Sequence, residues 1–241
     1  MQPVQQAPDR RQGATDQPMR HRIRNFLTAT VSRFRIILLA ILIAAAVFLV
    51  AYFIYTEISR KLTNDSTVLA ESAQDLYDKW QGESDTAKKG ALEKDLTDQL
   101  GILTTRYARQ YGGERGFFIR ANLSYQKKAW DEAAKDYQAL AARFPNGYLA
   151  PISLFDAGVC LEEKGDSDGA LKLYTRVSQA YQDSPVAPRA MFDTARLDEQ
   201  KESFDDAHKM YDQIDTLFPS STWDKLAKNR LIELRVLGKI K

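Results

Sequence analysis

An all-α fold is predicted for this 241-residue chain: a transmembrane helix near the N-terminus, then a solenoid of helix-turn-helix repeats closed by a capping helix. Three observations predict it. Residues 36–55 form one unbroken apolar run. Residues 115–219 superimpose on themselves at a constant step of 37. Within each copy the apolar residues recur at i, i+4 and i+7, which is the spacing of one helix face. No sheet is expected.

The first 35 residues carry seven arginines, at 10, 11, 20, 22, 24, 33 and 35, against Asp9 and Asp16, a net of +5. The stretch MQPVQQAPDRRQGATDQPMR has almost no bulky apolar residue, so burial cannot offset the loss of chain entropy and it reads as a disordered tail. From Arg20 to Arg35, basic residues mix with Ile23, Phe26, Leu27, Val31 and Phe34. That pattern reads as a topology determinant, with an amphipathic segment lying on anionic headgroups as the alternative. Ile36 to Tyr55 follow, IILLAILIAAAVFLVAYFIY, free of charge, Gly and Pro. At about 1.5 Å per residue this helix spans about 30 Å, the thickness of a bilayer hydrocarbon core. A cleaved signal would have a shorter apolar region, about 7–15 residues, followed by a small-residue cleavage site. An uncleaved anchor is therefore expected, with Tyr52 and Tyr55 at the interface. The basic flank precedes the span, so the tail is expected in the cytoplasm and everything after Tyr55 across the membrane; in a bacterium that is the periplasm. The chain's +2 less the tail's +5 leaves −3 for the remainder, which gives no reason to expect nucleic-acid binding.

Seven columns hold through the three copies without a gap. Phe117, Leu154 and Met191 share one, Ala121, Gly158 and Ala195 a second, and Leu123, Cys160 and Leu197 a third. Ala133, Ala170 and Ala207 follow, then Tyr137, Tyr174 and Tyr211, then Leu140, Val177 and Ile214, then Phe144, Tyr181 and Phe218. Small residues in two columns let helices approach closely. Short polar turns (KKAW, KGDS, QKES) separate the helices. Acidic residues such as Asp131–Glu132 and Asp205–Asp206 open the second helix, where they favour its positive end. Phe144-Pro145-Asn146-Gly147, Ser184-Pro185 and Phe218-Pro219 close the copies. Shifted by −37, Leu96, Leu100, Leu103, Tyr107 and Trp80 extend the pattern into a degenerate leading repeat over 64–111, with a turn near Gly82-Glu83-Ser84. Residues 223–237 form a last amphipathic helix to cover the open face. About seven helices plus the cap are expected. The resulting division is 1–35 tail and juxtamembrane segment, 36–55 span, 64–111 leading repeat, 115–147, 149–185 and 186–220 repeats, and 223–238 cap.

This pattern resembles the tetratricopeptide repeat. Trp130-Asp131-Glu132-Ala133 and Phe204-Asp205-Asp206-Ala207 are similar to the family's Tyr-x-Glu-Ala signature, with Tyr137 and Tyr211 four residues on and Pro145 and Pro219 closing the copies. The middle copy departs, with Ser167 in the aromatic place and Gln182 for proline, and the step is 37 rather than the family's usual 34. The resemblance implies a protein-binding solenoid whose first helices line a concave groove. Layout and repeats together are similar to single-anchor bacterial envelope members, such as the ancillary subunit of the Sec translocon and periplasmic proteins coordinating wall synthesis and outer-membrane assembly.

No constellation for catalysis is present: no GxSxG, Walker loop or HExxH, and one cysteine rules out a Cys-based metal site. Cys160 shares a core column. His21 and His208 lie 187 residues apart, so a paired metal motif is gone. No enzyme, cofactor or metal is expected. The resemblance places Phe118, Phe155 and Phe192 toward the groove, with Asn122, Val159 and Arg196 beside them and Tyr125, Glu162 and Glu199 beyond. Such a stripe suits an apolar, partly basic peptide or helix. Simple packing between repeats is the competing account of the three phenylalanines. The groove lacks the family's full carboxylate clamp. The expected partners are other envelope or exported proteins and the inner membrane, with the chain acting as adaptor, scaffold or chaperone-like factor. A permanent structural subunit of a large envelope machine is the alternative.

Overall fold

The computed structural model describes the backbone of residues 17–241 and the side chains from residue 34 on, residue 36 excepted. Of the stretch 1–20 expected to be a disordered tail, residues 1–16 fall outside the described residues, and residues 17–20 are helical. The chain divides into two compact units, Met1–Ser59 and Arg60–Lys241. Among the described residues there are nine helices and no strand: α1 (Gln17–Gly82), α2 (Thr86–Thr105), α3 (Tyr111–Gln126), α4 (Trp130–Arg143), α5 (Ala150–Glu163), α6 (Ser167–Ala180), α7 (Ala187–Gln200), α8 (Phe204–Leu217) and α9 (Thr222–Val236). The all-α expectation holds for them.

In the first unit, α1 carries the apolar run, and helix begins at Gln17, well ahead of that run. Its large apolar side chains from Ile37 to Ile58 are all between 50% and 70% exposed. One helix among the described residues, Ile37–Gly82, is long and apolar enough to cross a membrane by length and composition.

In the second unit the helices pair as first and second members: α3 with α4, α5 with α6, α7 with α8. The repeat columns are its core. Tyr174 and Tyr211 are no more than 1% exposed, and Ala133, Ala170, Ala207, Leu140, Val177 and Ile214 are fully buried. Gly158 is small for a physical reason, since a Cβ there would stand 2.4 Å from the Tyr174 ring. Ahead of the repeats, Ala70, Ala73, Tyr77 and Trp80 of α1 pack with Leu96, Leu100 and Leu103 of α2 and with Ile119 and Leu123 of α3. At the start of α3, Gly112 brings that helix against the α1 backbone; a Cβ would fall 2.1 Å from the Ser66 carbonyl oxygen. Proline opens the first turn of α5 (Pro151) and of α7 (Pro188), where the missing N–H has no helical partner to lose.

Two periodic devices join the helices. Each turn between paired helices contains one left-handed residue, Lys128 (φ 61°), Gly165 (φ 89°) and Glu202 (φ 60°), at the same 37-residue step. Lysines at the same step, 127, 164 and 201, end the first helices. Each reaches an acid on the preceding second helix: Lys127 to Glu93, Lys164 to Asp131 (2.5 Å) and Lys201 to Asp168. At the C-terminal end α9 seals the core with Ala227, Leu231 and Leu234 against Met191, Ala195 and Tyr211. Its Ile232 and Val236, with Leu237 just after it, point outward.

Candidate functional site

Four first helices, α1, α3, α5 and α7, contribute side chains to one cavity of about 460 Å³. Helix α1 supplies Tyr77 and Gln81, α3 supplies Asn122, Tyr125 and Gln126, and α4 adds Tyr137. Helix α5 supplies Phe155, Asp156 and Val159, and α7 supplies Arg189. They converge because first helices a repeat apart present equivalent faces on the same side of a solenoid.

Of the nine residues expected in a groove, Asn122, Tyr125, Phe155 and Val159 line this cavity. Asn122 accepts a hydrogen bond from the buried Tyr137 hydroxyl, whose pKa burial pushes far above the ordinary phenol value. Tyr125 stacks edge-on against Trp130, with centroids 5.0 Å apart. The three phenylalanines do not form a continuous exposed stripe. Phe118 packs on Tyr137, and Phe192 sits between Tyr211 and Trp223, with centroids 5.3 and 5.4 Å away. Phe155 is 1% exposed and lies 5.0 Å from the Tyr174 ring, so it is core that shows one edge to the cavity. For this residue the packing account fits: the Arg189 guanidinium caps its ring at 4.5 Å, and Tyr174 of α6 backs it.

The other three expected residues are engaged in bridges between repeats. Glu162 takes two hydrogen bonds from Arg196 (2.9 and 2.8 Å) and one from the Tyr174 hydroxyl (2.7 Å). Glu199 is held in the same way by Arg230 and by Tyr211 at 2.7 Å. Arg196 and Glu199 also line a second cavity of about 300 Å³ with Arg230 and Leu234 of α9. These carboxylates are already satisfied, so they are rungs of the scaffold.

Asp156 was not singled out by sequence, and it differs from those acids. It is half-buried in the lining of the first cavity and takes no hydrogen bond from any described residue. Burial pushes its carboxyl up to about 6, against the opposing pull of Arg189. Arg189 is spent elsewhere, on the Phe155 face and on Asp193 at 3.8 Å. The signal available in sequence was thin: Asp156 shares its column with Ile119 and Asp193, which behave differently from it and from each other. Tyr77 and Arg189 were also missed because they lie outside the shared columns, and Gln81 because it falls one step of 37 before Phe118, where the leading repeat has no aromatic residue to mark it.

The buried Cys160 thiol is pushed up to about 12, chiefly by burial, which suits packing and not nucleophilic work. His208 faces Asp212 at 3.3 Å. No group of three or more potential metal ligands occurs among the described residues.

No curated protein matches the chain. The tetratricopeptide repeat family matches residues 120–185 and, in a second placement, residues 163–222. The matched residues cover α4 through α8, with most of α3 ahead of them, and so include the α3 and α5 walls of the cavity and Arg189 on α7. Over that stretch the chain is similar to a family that is typically a non-catalytic fold for protein–protein interaction.

Proposed function

We propose that this chain is a membrane-tethered protein-interaction module. A single α1 anchor holds a periplasmic helical-repeat domain, whose groove takes up other envelope or exported proteins as an adaptor, scaffold or chaperone-like factor. The observation that carries the reading is the cavity built across four successive first helices and lined by aromatic and charged side chains. Grooves of this composition gain affinity from aromatic anchors in partly desolvated pockets. The tether is supported by the exposed apolar run from Ile37 to Ile58, and the orientation by the arginines ahead of it. Within the groove, Asn122, Tyr125, Phe155 and Val159 touch the partner, while Glu162, Arg196 and Glu199 hold the repeats in register.

A permanent subunit of a larger envelope machine is the second reading. The outward Ile232 and Val236 of α9, with Leu237 just after it, favour it, because permanent interfaces are broad and apolar. Purification in gentle detergent separates the two. Val159→Arg places a long charged side chain in the groove; under the adaptor reading it strips a substoichiometric mixture of co-purifying proteins. A stoichiometric partner set that survives Val159→Arg and is lost with Val236→Glu establishes the permanent subunit instead. A reporter fused after Lys241 and active only in the cytoplasm overturns the orientation.

A further inference from the structure

We propose that Asp156 is the anchor for a basic side chain, a lysine or arginine of the bound polypeptide, inserted between the aromatic walls of the groove. The inference rests on the groove reading and deepens it by naming what the partner must carry.

The argument is one of unmatched charge. Most acids near the groove already hold a cation. Asp136 receives two hydrogen bonds from Arg120 at 2.7 Å, Glu162 is clamped by Arg196, and Asp193 lies 3.2 Å from Arg196 and 3.8 Å from Arg189. Glu199 is clamped by Arg230. Asp156 has no such partner among the described residues, yet it sits deeper than an exposed surface acid would. Tyr137 of α4, Tyr125 of α3, Cys160 of its own helix and Arg189 of α7 are the titratable or charged groups that feel it. Only Arg189 is a cation, and its guanidinium lies over the Phe155 ring.

The walls fit the same occupant. Tyr77, Tyr125 and Tyr137 line the cavity; Tyr77 and Tyr137 are buried, and the half-buried Tyr125 is the ring against which a cation gains from the ring quadrupole while its aliphatic stem covers apolar surface. Val159 and the edge of Phe155 offer that apolar surface. A volume of about 460 Å³ is far more than a lone water needs and has room for a long side chain together with its backbone. The cavity's own cation, Arg189, is engaged with Phe155 and Asp193, which leaves Asp156 as the open charge; an acidic occupant would bring like charge to it, which favours a basic one.

The test pans a random 12-residue peptide library against the full chain held in lipid nanodiscs, with Val159→Arg and Asp156→Asn proteins as counter-targets. Selected peptides are expected to carry a lysine or arginine flanked by apolar residues. Replacing that residue by norleucine, or Asp156 by Asn, should each weaken binding at least tenfold, and the two together no further. Asp156→Asn removes a half-buried charge that makes no hydrogen bond or ion pair among the described residues, so its fold is not at risk. Peptides lost with Val159→Arg but indifferent to Asp156→Asn leave the groove standing and overturn the basic-anchor assignment. Selected peptides rich in Asp or Glu overturn it as well. A selection yielding no peptide sensitive to Val159→Arg overturns both readings.

Discussion

Replacing Asp156 by asparagine should stabilise the fold at neutral pH and do nothing in acid. The carboxyl titrates near 6 in the folded chain against an ordinary value of 3.8, because burial disfavours its charged form. The folded state therefore holds a proton that the unfolded state has released between those two values. The destabilisation is absent below pH 3.8, grows as pH rises toward 6 and is complete above it. The gap between 3.8 and about 6, at 1.36 kcal/mol for each tenfold change in proton affinity, puts it on the order of 3 kcal/mol. Asparagine keeps the shape, carries no charge and gives up no hydrogen bond. For a domain of this size each kcal/mol moves Tm by about 2–4 °C, so the variant should melt some 6–12 °C higher at pH 7.5. Melts of both proteins by circular dichroism at pH 4, 5, 6 and 7.5 check this, since effects common to the whole chain cancel in the difference. A Tm difference that stays constant across that range, or a variant less stable at pH 7.5, refutes the reasoning. Proteins retain a destabilising group where function uses it, which links this measurement to the proposed anchor.

Three further outcomes follow from the packing. Phe155→Ala should cost about 3–5 kcal/mol, read as a lower denaturation midpoint, because it empties a site between α5, α6 and the Arg189 side chain. Lys128→Gly and Glu202→Gly should each stabilise, by about 0.5–1 kcal/mol, since a left-handed residue with a Cβ costs about 1–2 kcal/mol and glycine's greater unfolded entropy returns part of it; Gly165→Ala should act in the opposite direction, all three checked by Tm. Gly112→Ala should loosen the joint between α3 and α1, seen as faster proteolysis near residues 105–112, because its Cβ would overlap the Ser66 carbonyl.

The repeat was legible because six of the seven columns found through the three copies are core columns, the Phe144, Tyr181 and Phe218 column being half-buried. Tyr137, Tyr174 and Tyr211 fill equivalent sites between helices, and a site that recurs in space recurs in sequence. Turn geometry was half-legible: Gly165 marks the left-handed position, but Lys128 and Glu202 adopt the same conformation with no sequence signature, the fixed helix geometry on either side imposing it. The groove was least legible. Phe118, Phe155 and Phe192 share a column, yet Phe155 alone is buried down to the edge it shows the cavity, because Arg189 from the next repeat lies over it and nothing equivalent covers the others. Glu162 and Asp156 are both acids on α5, and sequence offers no way to tell that Arg196 reaches the first and that no cation clamps the second. Columns report what repeats share, and a binding site is made of what they do not.

The central claim is that proteins dock on the face built from α1, α3, α5 and α7. A photo-crosslinking amino acid placed in cells at Gln126, exposed at the rim of the cavity, tests it against one at Arg176, exposed on the second helix α6. The account predicts discrete higher-mass adducts from position 126 that vanish with Val159→Arg, and none from position 176. Adducts from position 176 with none from 126, or adducts from 126 that ignore Val159→Arg, contradict it.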